Sequence, residues 1–257
     1  MAAHRPAYIP ESILSAPLQF VWQGATEHIG PTETVTKLLD RLSGTTTCAQ
    51  ITMCAGVFEW GAWRLSAHTP VDYCLELAEA AFAYQVDWRY VNPDAGPVGK
   101  APDQPAAISA TMQLTRFMRS ALDKDEYWNS YYQPIRETFH CAHLVEHILP
   151  KQAKKGFQAW LDGLAERIKQ FWPKPDEPFR KKKEFATVEE HQSFIARHRG
   201  VAVPRELLDP DFPYRPEMRE QLVAEYLERL DWKVNRYLRS PEDMLKIGFE
   251  GTPYRLR

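Results

Sequence analysis

The stretch from Thr45 to Tyr90 constrains the fold more than any other segment of the chain. It reads as two helical patterns back to back, TTTCAQITMCAGVFEWGAWRLSAH and then TPVDYCLELAEAAFAYQVDWRY. Both are apolar nearly all round. A helix without a polar face has to be enclosed on every side, so these segments belong at the centre of a helical domain. Five charges interrupt the apolar field: Glu59, Arg64, Glu79, Asp87 and Arg89. Burying a charge is costly unless it is paired, so the five define either a structural ion-pair network or a site. The expectation is that Arg64 and Arg89 pair with Glu59, Glu79 or Asp87.

Helical periodicity recurs along the rest of the chain, and strand alternation does not. Leu18–Ile29 and Glu33–Leu42 read as short helices split by Gly30-Pro31. Ala49–Leu65 and Pro70–Tyr90 follow, the second opened by Thr69-Pro70-Val71-Asp72, a cap hydroxyl with proline and an acid in the first turn. A break rich in proline and glycine leads to Pro105. Helices then span Ala106–Leu122 and Glu126–Leu149, the latter kinked at Pro134. Phe157, Trp160, Leu161, Leu164, Ile168 and Phe171 form an apolar stripe at helical spacing. Thr187-Val-Glu-Glu190 is a capping-box pattern. Glu217–Leu238 reads as the longest amphipathic helix, with Leu222, Val223, Tyr226, Leu227, Leu230, Val234 and Tyr237 on its apolar face. Ser240-Pro241-Glu242-Asp243 opens a last short helix. The expectation is an all-α fold, an irregular multi-helix bundle. Its N-terminal helical lobe covers residues 1–92 and its C-terminal lobe residues 106–257, on either side of loop 93–105 and packed as one domain.

The 257 residues suffice for a sizeable core, and a net charge of −2 excludes a polyelectrolyte binder. The charge is unevenly placed: residues 1–150 hold 10 basic and 16 acidic side chains, residues 151–257 hold 22 and 18. Cys48, Cys54, Cys74 and Cys141 form no CxxC pair and have apolar neighbours, as expected of buried thiols in a reducing compartment. MAAHRPAYIPES has no signal-like apolar core, and no apolar run reaches a membrane span. The expected location is the cytoplasm.

Two segments suggest chemistry. His143-Leu-Val-Glu146-His147 matches H-x-x-E-H. Its histidines, four apart, share a helix face at a spacing suited to zinc, and Glu146 would be the general base of a zinc-dependent hydrolase. Nothing in the sequence marks the third ligand, so the expectation is a chain without cofactor or metal. Residues 151–183 interleave lysine and arginine with Trp160, Phe171, Trp172 and Phe179. A nucleic-acid or membrane-surface adaptor would use such a segment, although Asp162, Glu166, Asp176, Glu177 and Glu184 dilute its charge. Neither G-x-S-x-G, G-x-x-x-x-G-K-[ST] nor G-x-G-x-x-G occurs.

The residues Glu59-Trp-Gly-Ala-Trp63-Arg64, Ala78-Glu79-Ala80 and Asp87-Trp88-Arg89-Tyr90 resemble a pattern in uncharacterised helical proteins of interbacterial toxin clusters, type VI secretion and Rhs-type included. The resemblance is confined to Thr45–Tyr90 and contains no catalytic signature. It implies an immunity protein that binds a cognate bacterial toxin and occludes its active site, and no enzymatic activity. An acidic first half would complement a basic toxin cleft. Candidate partner-binding residues are Asp94 and Asp103 on the long loop, with Asp123, Asp125, Glu126, Tyr127, Trp128 and Tyr131, acids beside aromatics of the kind interfaces use. The competing reading of the last group is a capped helix start with its aromatics in the core.

Overall fold

The computed structural model describes residues 4–22, 38, 40–96, 105–123, 133–178, 180 and 182–256. Its main helices are α1 (Thr47–Leu65), α2 (Asp72–Val86), α3 (Ala106–Ala121), α4 (Gln133–Ile148), α5 (Lys151–Phe171), α6 (Val188–Arg199), α7 (Arg219–Arg229) and α8 (Pro241–Lys246). Most of the expected helices at 18–29 and 33–42, and the expected start of α4 at 126–132, lie outside the described residues. Among the described residues there is no strand, only the isolated bridges Thr45–Pro173 and Val91–Leu238. The fold is all-α. No helix among them is long and apolar enough to cross a membrane.

Helix α1 is the axis of the bundle. Every residue of it except Trp63 is buried, because α2, α3 and α4 pack along it and α5 and α6 touch it as well. Small residues permit this enclosure. A Cβ on Gly61 would lie 2.5 Å from a Leu114 methyl and 3.1 Å from one of Val145. Only a bare backbone lets α3 and α4 approach so closely. Since α1 and α2 share one core with α3, α4 and α5, the helices before and after residues 93–105 do not form separately packed lobes.

The buried charges of α1 find partners, but not the expected ones. Arg64, 0% exposed, bonds to none of Glu59, Glu79 and Asp87. Its Nε donates to the Ile148 carbonyl at 3.0 Å, and its Nη atoms to those of Ile13, Ala16 and Pro17 at 2.9–3.0 Å. Arg64 sits in the last turn of α1 beside the last residue of α4. Helix ends there leave carbonyls without intrahelical donors, and their partial negative charge favours a cation. Glu59 accepts from Tyr8 Oη and Arg205 Nη2, and Tyr8 stacks on Trp160 with ring centroids 5.3 Å apart. Both charges therefore pin irregular chain, residues 8–17 and 205, onto the central helix.

Two helices end earlier than their apolar spacing suggests. After Val86, Asp87 turns extended and its carboxylate accepts from Arg89 N at 2.9 Å, opening a 3-10 turn over Trp88–Tyr90. Helix α7 stops at Arg229. Beyond it Asp231 Oδ1 accepts from Lys233 N and Asn235 Oδ1 from Tyr237 N, so side chains capture backbone donors that a helix would use. Val234, expected on the apolar face, is 61% exposed. Residues 126–132, which would precede a kink at Pro134, lie outside the described residues. The caps at Thr187 and Ser240 form as expected, each hydroxyl accepting from the backbone N–H three residues on.

The C-terminal segment straps down the chain that follows α2. Asn92 N donates to the Tyr237 carbonyl at 2.8 Å and Arg239 N to that of Tyr90 at 2.9 Å. Asn235 Nδ2 donates to the Glu76 carbonyl and to Glu79 Oε2. Gly96 lies against the Tyr237 ring, where a Cβ would meet its hydroxyl at 1.8 Å. The turn carrying Asp87–Ala95 is thus held from both sides, which fixes the walls of the cleft beside it.

Candidate functional site

Two adjoining cavities open where α2 ends. The inner one, about 290 Å³, lies among Thr47 and Ile51 of α1, the Asp87–Arg89 turn, Ala121 and Pro134, and the α6 face that carries Ile195 and Arg199. The outer one, about 270 Å³, is lined by Val91–Asp94, Arg119, Leu122 and Arg239. Tyr84, Trp88 and Asp123 wall both. This shape comes from the Asp87 turn, which swings Trp88 and Arg89 off the helix line, and from the end of α3, where Leu122 and Asp123 leave the helix.

Charges in the cleft are layered. Asp87 accepts from Arg89 Nε at 2.8 Å and Nη2 at 2.6 Å, and Arg89 Nη1 donates to the Gly248 carbonyl. Although burial opposes it, the hydrogen bonds and charge of Arg89 hold the Asp87 carboxyl below the usual range. Asp94 pairs with Arg119, and the two side chains differ in depth: Asp94 is 81% exposed and Arg119 17%. Asp123 is exposed at the same rim. Arg239 turns inward to the Val91 carbonyl. In the Asp94–Arg119 pair the acid therefore faces outward over the arginine, whereas Asp87 is as covered as its partner Arg89.

Of the residues singled out in the sequence, Asp87, Arg89, Asp94 and Asp123 come together in this cleft. Asp103, Asp125, Glu126, Tyr127, Trp128 and Tyr131 lie outside the described residues. Glu59, Arg64 and Glu79 hold the fold together and sit elsewhere. Sequence reasoning missed Arg119, Arg199 and Arg239, which reach the cleft only through tertiary packing.

The H-x-x-E-H helix is α4. His147 Nε2 lies 3.1 Å from the Val21 carbonyl and its ring meets Phe20 edge-on. His143 Nδ1 is buried without a hydrogen-bond partner among the described residues, and burial lowers its pKa. Burial also raises the Glu146 carboxyl. Among the described residues no three His, Cys, Asp or Glu groups are grouped so as to hold a metal ion. Within residues 151–183, Phe157, Trp160 and Trp172 point into the core. Buried rings are not available to stack on bases; Phe171 is half-buried and Phe179 lies outside the described residues.

Comparison with known protein families, with characterised proteins and with solved structures finds no match.

Proposed function

We propose that this chain is a non-enzymatic protein-binding protein, an immunity protein that neutralises a cognate bacterial toxin by occluding its active site. The observation that carries the reading is the acidic rim of the cleft. Asp94 stands 81% exposed over a largely covered Arg119, and the exposed Asp123 lines the same cavity together with Tyr84 and Trp88. A partner approaching this face meets carboxylates before it meets arginines. Such a rim steers a basic surface into place, and the aromatics beneath supply contact area. The acidic excess of residues 1–150 extends the attraction beyond the cleft. The resemblance of Glu59–Tyr90 to immunity proteins of toxin clusters points the same way.

The test is neutralisation. The chain is co-produced with the toxin encoded beside it, and growth is followed. Restored growth, with a stoichiometric complex on gel filtration, is the expected result. A toxin that stays active against an excess of the folded chain would refute the reading.

A further inference from the structure

The acidic rim does not account for the inner cavity. Its floor is apolar, built from Ile51, Ala121, Pro134 and Ile195. Its volume of about 290 Å³ sits at the lower end of small-molecule sites. Four charged side chains face it: Asp87, Arg89, Asp123 and Arg199. Asp87 and Arg89 are committed to each other and to Gly248.

Arg199 is different. Its Nη2 donates to the carbonyls of Tyr84 and Gln85 at 2.8 and 3.1 Å, near the end of α2. These bonds fix the guanidinium at the cavity wall, while its Nε and Nη1 hydrogens bond no acceptor among the described residues. No carboxylate among them forms an ion pair with it. Thr47, also lining the cavity and 1% exposed, has an Oγ1 without a hydrogen-bond partner among the described residues. A half-buried guanidinium with unused donors beside an apolar floor is complementary to a carboxylate or sulfonate on an apolar body.

We propose that the inner cavity binds a small organic monoanion, its apolar ring on Ile51 and Ile195 and its acid group on Arg199. The acids Asp87 and Asp123 at the same cavity disfavour polyanions such as nucleotides, so a single negative charge fits best. This site is independent of the protein partner proposed above, and either can fail without the other.

The test uses the full chain and 8-anilinonaphthalene-1-sulfonate, a sulfonate on an aromatic body, followed by its own fluorescence and competed with benzoate. The expected result is one competable site per chain. Arg199→Gln should weaken it about tenfold or more, since a charge-assisted contact is lost. Ala196→Trp, an exposed α6 position lining the cavity, should block it without unfolding the protein, and it decides the matter if Arg199→Gln does not fold. The uncharged analogue N-phenyl-1-naphthylamine should bind about tenfold more weakly than the sulfonate. Unchanged sulfonate affinity in Ala196→Trp, or equal affinity for the uncharged analogue, would overturn the proposal.

Discussion

Arg64 and Glu59 are both buried charges on one helix, yet their loss should not cost the same. Arg64 satisfies four backbone carbonyls, that of Ile148 at the end of α4 and those of Ile13, Ala16 and Pro17 in the N-terminal segment, and so ties that segment to the ends of α1 and α4. Arg64→Met should therefore destabilise by roughly 3–5 kcal/mol, the cost of orphaning buried polar groups. In Glu59→Leu the partner Arg205, with a side chain 32% exposed, can turn to water, and Tyr8 loses one bond. That change should cost only about 1–3 kcal/mol. Urea unfolding with an unchanged m value measures both. The reverse order would mean that Arg64 is not the clamp described. The cysteines, all buried, belong to the same scale. Burial raises the thiols of Cys48 and Cys141, and that of Cys74 to about 12, which keeps these three protonated, as small apolar residues.

At the scale of elements, Val234 gives the sharpest test. It continues the apolar spacing of α7 but stands on a turn, 61% exposed. Val234→Asp should change stability by no more than about 0.5 kcal/mol, whereas Val223→Asp, on the buried face of α7, should cost several kcal/mol or abolish folding. Thermal melts decide, and a large loss at Val234 would restore the longer helix. The same position marks the limit of what is legible in the sequence. The enclosed character of α1 and α2 is readable because an all-apolar helix admits one location. The caps at Thr187 and Ser240 are readable because their chemistry is local. The end of α7 is not, because Leu230, Val234 and Tyr237 keep helical spacing while Asp231 and Asn235 take the backbone bonds. For Arg64 the charge is legible but the partner is not, since backbone carbonyls leave no trace in residue type. In the cleft, Asp94 and Asp123 are recognisable as acids on exposed-looking segments. Arg199 is not, because it arrives from a helix remote in sequence.

At the scale of the whole molecule, one core runs through the helices on both sides of residues 93–105, and the irregular N- and C-terminal segments are fastened to it by buried or half-buried polar contacts. That arrangement leaves a braced cleft whose outer face is acidic, on a chain whose net charge is only −2. The proposed function therefore rests on local charge placement. The most direct test is the association rate with the cognate toxin, measured against ionic strength, for the native chain and for Asp94→Lys/Asp123→Lys. Both positions are exposed, but Asp94 pairs with the largely covered Arg119, so a thermal melt first establishes that the variant is folded, and the rates are compared on folded protein. If the acidic rim steers the partner, the native rate falls with salt, the variant is slower by about tenfold at low salt, and the two converge as salt screens the charges. Equal rates with equal salt dependence would place the partner on another face of the protein.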